Sequence, residues 1–344
     1  MKAAVLVQLN QPLEIAELTL RSKLDFGQVL VAVRYSGICG AQLNEIEGAK
    51  GPDKFLPHLL GHEGGGVVLE CGPGVKRVAA GDHVVMHWRK AEGIHSATPS
   101  YDWNGRRVNA GWVTTFNDTA VVSENRLTPI PKSIPLDIAA LYGCALTTGF
   151  GVINHDARLT IGESVVVFGV GGVGITTILG ASLAGGYPIV AVDPVPEKLE
   201  LARKFGATHT LAVAADESTH DSLVELNGGR LFDVAVENTG RSSVIQAAYK
   251  VSGPGGRVIL VGVPRHDDPI TIDSLPLHFD KILTGSEGGG TIPSRDIPRY
   301  LRLQEAGRYE LSELISHRFR LEEVNLALDT FRAGKAYRCM LEMG

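Results

Sequence analysis

Residues 164–174 read SVVVFGVGGVG, and residues 188–193 read PIVAVD. Val165–Phe168 is an apolar run of buried-strand length. Gly169, Gly171 and Gly174 follow it at once as G-x-G-x-x-G, and the small-residue stretch after them has helical character. A glycine pattern alone is a weak signal. Between a strand and a helix it acquires a mechanism: the first glycine turns the chain and the second lets a pyrophosphate approach the backbone. The third lets the helix close on the sheet, while the helix N-terminus offers partial positive charge. Gly172 and Val173 lie inside the same turn. Asp193 ends the next strand, where a carboxylate can accept hydrogen bonds from ribose hydroxyls and would repel a 2′-phosphate. The expected cofactor is therefore NAD rather than NADP.

Outward from this turn the chain alternates. The helical PEKLELARKFG, strand-like LFDVAVEN, helical SSVIQAAYKVS, strand-like GRVILVGV and edge-like KILTGSE follow in order. Strands alternating with helices of this length predict βαβ units and a parallel sheet. Val261 and Val263 end the GRVILVGV strand, on the sheet edge where ligands sit in such folds. Before about residue 130 the texture is different. QVLVAVRYSGI, GGVVLECGPGV and GDHVVMHW are β-rich runs separated by turn residues, which predicts an all-β, partly closed barrel. After about 290 come a helix, a strand, a second helix and a terminal strand, too short for a domain and expected to return to the first half. The fold class is thus α/β: a doubly wound parallel sheet plus a discontinuous β-barrel, with segments 1–145, 146–288 and 289–344.

Bulk properties narrow the function. The chain of 344 residues carries a net charge of -5, which argues against a nucleic-acid surface. No apolar run reaches the ~20 residues that span a bilayer, so no membrane partner is expected. Four scattered cysteines (Cys39, Cys71, Cys144, Cys339) do not make a disulfide framework, and a cytoplasmic, thiol-reducing location is expected. Glycine is in excess: 41 residues, roughly 12% against an average near 7%.

Three glycine-flanked metal-ligand candidates lie in the barrel half and at its end: Cys39 in SGICG, His62 in GHEGGG and Cys144 in LYGCALTTG. Two thiolates and one imidazole with an open fourth position form a catalytic zinc set.

Taken with GHE and its glycines, GCALTTGFG, FGVGGVG, the Asp193 strand and the terminal AGKAYRCML, the chain resembles a zinc-containing medium-chain alcohol dehydrogenase over essentially its whole length. GSEGGG through PSRDIP is similar to the formaldehyde (thiol-adduct) branch. The resemblance implies a GroES-like barrel plus a Rossmann domain. It implies a catalytic Zn2+ on Cys39, His62 and Cys144, with Glu63 able to approach the metal. It also implies Lys198 at the adenosine ribose, Arg241 beside the adenine, and Arg338 on the pyrophosphate. Thr148 and Val173 would line the nicotinamide, and Trp88 and Phe116 would wall the substrate pocket.

Three departures stand out. Ala41 and Gln42 follow Cys39-Gly40, where the family has a hydroxyl residue and then Asp, so the usual proton relay loses its first step. The carboxylate that steadies the ligating histidine is replaced by an amide. Proton exit is then expected through Asn44, water, or a ribose or substrate hydroxyl. Finally, residues 87–112 hold no cysteine, so the four-cysteine structural-zinc lobe is absent and one zinc per chain is expected. The loop in its place carries Arg89, Lys90, Arg106 and Arg107 among Trp88, Tyr101, Trp103 and Trp112, which points to a polar or anionic alcohol or its carbonyl. A zinc-free NAD(P)H reductase of the same fold and a non-catalytic nucleotide-binding homologue are the alternatives. The resemblance implies a homodimer or homotetramer, assembled through the strand near Lys281–Ser286.

Overall fold

The computed structural model describes residues 1–344 except Lys50 and Lys335, and of Glu217 the backbone alone. Lys335 belongs to the AGKAYRCML motif and so lies outside the described residues. The chain divides into two compact units: Met1–Cys144 with Ile292–Gly344, and Ala145–Thr291. The boundaries expected at 145/146 and 288/289 fall within three residues of these.

The first unit is built on two antiparallel-rich sheets. Gln28–Gly37 is the central strand of the larger sheet. Val29, Val31 and Val33 recur at every second residue and are buried, as strand periodicity demands. It pairs with Glu63–Cys71 on one side and the terminal strand Cys339–Glu342 on the other. That second pairing returns the tail to the unit where the chain began. The core between these strands and the helix Val324–Arg332 includes Leu6, Val68, Met86, Phe116 and Leu341.

The smaller sheet contains a correction. The segment replacing the zinc lobe is not a loop but a hairpin, Ser100–Trp103 paired with Arg106–Asn109. The connecting Asn104 and Gly105 both have positive φ, 50° and 88°. Such a two-residue turn matches the twist of its strands, and Asn-Gly is its strongest sequence signal. Tyr101 and Val108 are buried into a satellite core with Ala3 and Val5, and the Tyr101 hydroxyl accepts the Val121 N–H.

In the second unit a six-stranded parallel sheet has the spatial order His209–Leu211, Ile189–Val192, Val165–Phe168, Phe232–Glu237, Ser252–Leu260, Ile282–Gly285. This is the doubly wound order of dinucleotide-binding folds. Val165–Phe168 and Ile189–Val192 are buried at every position, which explains their unbroken apolar runs. The edge strand is Ile282–Gly285, as read from its sequence. The short strand His209–Leu211 and the helix His220–Leu226 carry little periodicity and were not legible. Among the described residues no helix is long and apolar enough to cross a membrane.

Candidate active site

Three loops and turns of the first unit bring Cys39, His62 and Cys144 together, with their ligand atoms all within 4.8 Å of one another. Cys39 leaves the central strand and caps the helix Gly40–Ile46. His62 immediately precedes the strand Glu63–Cys71, and Cys144 ends the unit. Close backbone approach makes this possible. A Cβ on Gly37 would lie 2.2 Å from Glu63 Oε1, and one on Gly143 would lie 2.4 Å from the Met86 carbonyl.

The electrostatics are those of a closed ligand set. The Cys144 thiol holds Cys39 well below the ordinary thiol range, against desolvation and with help from His62 and Arg338. Cys144 is correspondingly pushed up, first by its hydrogen bond to Cys39 and then by burial. The two sulfurs hydrogen-bond each other, a contact that a metal ion, which binds thiolates, would replace. Burial disfavours charge on His62, but the Cys39 sulfur and Glu63 outweigh it and raise its pKa. His62 Nδ1 meets the Gln42 side-chain amide, whereas its buried Nε2 has no hydrogen-bond partner. Zinc takes S and N ligands at about 2.3 and 2.0–2.1 Å in tetrahedral array, which needs ligand atoms ~3.5–4 Å apart. The donor set, its spacing and the orphaned Nε2 fit that ion.

Glu63 is fully buried and pairs with Arg338, 3.2 Å from guanidinium to carboxylate, while Arg338 also donates to the Ile38 carbonyl at 2.8 Å. Arg338 immediately precedes the terminal strand, so the returning tail supplies the cation beside the ligand cluster.

A cavity of about 570 Å³ opens on this side of the unit, lined by His62, Gln42, Trp88, Trp112, Arg107 and the His58–Asp53 pair among others.

Residues 25–132 match the alcohol dehydrogenase GroES-like domain, and residues 172–305 match the zinc-binding dehydrogenase domain. An NDMA-dependent alcohol dehydrogenase of Amycolatopsis methanolica is 33% identical, over 98% of this chain and 97% of its own. An S-(hydroxymethyl)glutathione dehydrogenase of Escherichia coli is 30% identical over 99% of each. The chain belongs to the zinc-containing medium-chain alcohol dehydrogenase family. Benzyl alcohol dehydrogenase from Acinetobacter calcoaceticus superposes with a TM-score of 0.88 at 26% identity, over 100% of this chain and 99% of its own. A zinc-binding-domain alcohol dehydrogenase from Burkholderia ambifaria superposes with 0.89 at 28% identity, over 100% and 98%. The protein is accordingly a zinc-dependent alcohol oxidoreductase using a nicotinamide dinucleotide.

In the dehydrogenase's second unit the glycine turn joins the strand Val165–Phe168 to the helix Gly172–Leu183. Gly169 has φ +79°, and a Cβ on Gly174 would lie 2.1 Å from the Gly169 carbonyl oxygen. A Cβ on Gly171 would meet nothing within 4 Å, leaving open space for a phosphate at the start of the helix Gly172–Leu183. Asp193 accepts the N–H of Val170, inside the turn, at 2.8 Å and that of Val195 at 3.0 Å. These features fit a dinucleotide. Lys198 is half-buried on the helix Pro196–Lys204, Arg241 is exposed at the start of the helix Ser242–Val251, and Val173 is half-buried. Val261 donates to the Glu237 carbonyl, and Val263 is exposed beyond it. Thr148 is buried in the helix Ala145–Gly151 of the same unit.

In the first unit Trp88 is on the cavity wall, but Phe116 is not. Its ring is fully buried in the barrel core, where Gly61 lies against it. Phe116 follows a run of buried residues from Val113, and that continuous burial turns it inward. Asn44 is half-buried on the helix Gly40–Ile46, whereas its neighbour Glu45 lines the cavity. Sequence reading missed His58 and Asp53. The spacing H-x-x-x-H of His58 and His62 is their only local signal, and no periodicity separates a ligand from a wall residue.

Proposed function

We propose that the dehydrogenase interconverts a polar primary or secondary alcohol with its aldehyde or ketone, using NAD and a single zinc ion. The convergence of Cys39, His62 and Cys144 carries this reading, since two cysteine sulfurs and an imidazole nitrogen within 4.8 Å of one another are a zinc donor set. Bound zinc would supply Lewis acidity that lowers the pKa of an alcohol, and NAD would accept the hydride.

The chain's own residues would do the rest. Cys39, His62 and Cys144 hold the ion, and Gln42 orients the imidazole. Glu63 keeps a carboxylate within reach of the cluster, and Arg338 balances its charge. Trp88 provides an apolar wall that excludes water. With Ala41 in place of a hydroxyl residue, the proton leaves by water, by Asn44, or by a cofactor or substrate hydroxyl. Asp193 favours NAD, with Lys198 and Arg241 at the adenosine and Thr148, Val173, Val261 and Val263 at the nicotinamide side. The family resemblance implies Arg338 on the pyrophosphate, whereas here its guanidinium is engaged by Glu63 and the Ile38 carbonyl.

Cys39, His62 and Cys144 form the group that would hold this zinc. None of the four cysteines is in a disulfide, in keeping with a reducing cytoplasmic setting. Ile282 on the edge strand and Leu275 and Phe279 in the turn before it are exposed and support a homodimer or homotetramer. The test is elemental analysis with a panel of alcohols and aldehydes, assayed with NAD and with NADP. The expected result is about one zinc per chain and NAD-linked turnover; two zincs, or turnover with NADP alone, would overturn it.

A further inference from the structure

The strap that leaves Trp88 is held from a single short turn. Residues 89–97 form no strand or helix, yet Trp88 before them and Thr98 after them both line the cavity beside His62. The turn is Glu124–Arg126, in which all three side chains are buried. Burying three consecutive polar residues is costly unless each is bonded. Glu124 gives one carboxylate oxygen to the N–H groups of Lys76 and Arg77 and the other to that of Ile94. Asn125 accepts the Ala91 N–H and donates its own to the Ile94 carbonyl. Arg126 reaches further. Its guanidinium donates to the Trp88 carbonyl and lies 4.8 Å from the Trp112 ring, while its Nε has no partner.

Arg126 is only 4% exposed, and among the described residues it makes no ion pair. Glu124, two residues away, has both oxygens committed to backbone donors. Burial and the neighbouring Arg89 hold the Arg126 pKa below the ordinary guanidinium value, so the charge sits there against its solvation. An apolar side chain of similar length would fill the place with no greater cost to folding. It could not hold Trp88 and Trp112 together. Those residues come from separate segments, with the hairpin of Ser100–Trp103 and Arg106–Asn109 between them. Trp112 is 57% exposed, so packing alone does not fix its ring. A guanidinium is planar and can donate from its edge while its face rests on an aromatic ring; an ammonium cannot do both.

We infer that Arg126 is a positioning residue that sets the spacing of Trp88 and Trp112, and with it the width of the cavity that receives the substrate. It stands behind these walls rather than in the cavity. An alcohol whose body reaches both walls depends on that width, and one too short to reach them does not. This rests on the reading of the Cys39–His62–Cys144 cluster as the alcohol-oxidising centre. It assigns selectivity for substrate size to a side chain that the substrate never touches.

The test compares benzyl alcohol with 1-propanol on the zinc-loaded enzyme with NAD, for the native chain, Arg126→Met and Arg126→Lys. Losing a cation–π contact and a charged hydrogen bond predicts a rise of about 10–30-fold in KM for benzyl alcohol in Arg126→Met. The benzyl alcohol kcat and the 1-propanol KM should each move less than about threefold. Arg126→Lys keeps the charge but loses the edge-and-face geometry, so it should show most of the same loss. Because the buried charge was unpaired, the urea midpoint of Arg126→Met should not fall. Acrylamide should quench its tryptophan fluorescence more strongly than that of the native chain, as the walls loosen. Equal KM changes on both alcohols, native kinetics in either variant, or a lowered urea midpoint with unchanged quenching would overturn the inference and leave the oxidising centre standing. Absence of turnover of both alcohols by the native enzyme, with zinc bound, would overturn the reading beneath it. The quenching comparison then decides the bridge by itself, and unchanged quenching would overturn that too.

Discussion

The Gln42 side chain donates from Nε2 to Nδ1 of His62, because its Oε1 already accepts the backbone N–H of Cys39 at 2.8 Å. A ring that accepts at Nδ1 carries its own proton on Nε2. Ligation through Nε2 requires the opposite tautomer, with Nδ1–H donating to an acceptor. Metal binding therefore asks the Gln42 amide to turn over, and that sets its NH2 group against the Cys39 N–H. A carboxylate at this position accepts from both.

Gln42→Glu keeps the length and removes this conflict. Zinc affinity should rise about 10-fold or more, in line with the effect of groups that orient a ligating histidine. Competition against a chromophoric chelator measures it directly. Unchanged affinity would mean that the amide turns at no cost.

The Arg338–Glu63 pair should matter to stability as much as to chemistry. Both side chains are buried, at 3% and 0% exposure, so removing the cation strands a carboxylate without solvent. Arg338→Met is expected to cost about 3–5 kcal/mol in urea denaturation. Adding Glu63→Gln to that variant should recover part of the loss, because the stranded charge is gone.

His87 predicts acid sensitivity. Burial pushes its pKa down to about 4, against hydrogen bonds that include the Arg89 carbonyl and with a small push from Arg126. Above the ordinary value of 6.5 the ring is neutral folded or unfolded and contributes nothing. Between 6.5 and about 4 the unfolded chain takes up the proton first, so stability falls as pH falls, and the loss saturates below 4. About 2 kcal/mol should be gone at pH 5. His87→Gln should flatten the dependence of the urea midpoint between pH 7 and pH 5.

Ala41 is exposed at the second position of the helix Gly40–Ile46, where a side chain can be added without repacking. Ala41→Ser should restore a hydroxyl to the proton path. An increase of about 10-fold or more in turnover below neutral pH is expected if proton exit limits the rate. Stopped-flow at several pH values, in H2O and D2O, decides it. An unchanged pH–rate profile would show that another group already carries the proton.

How legible the molecule was depends on how local each cause is. The nucleotide turn was fully legible, because the strand, the glycines and the helix that give it meaning lie within about twenty residues. The zinc ligands were legible as residue types, through their glycine neighbours and the family pattern, although their meeting is tertiary. The Asn104-Gly105 hairpin had a clear local signal that the resemblance to a lost metal lobe obscured. Phe116 could not be placed, since an aromatic ring looks alike whether it walls a cavity or fills a core. The pairing of Arg338 with Glu63 had no local signal, for it spans 275 residues.

That span has a consequence for how the enzyme comes into being. At synthesis rates of roughly 5–20 residues per second, Glu63 leaves the ribosome some 15–55 s before Arg338. For that interval the barrel strands can pair and the three ligands can be present, yet the carboxylate beside them lacks its cation. Burying it alone is unfavourable, so the early barrel should stay open at this corner. Completion waits for the strand Cys339–Glu342, and the ligand cluster closes only after Arg338 has emerged.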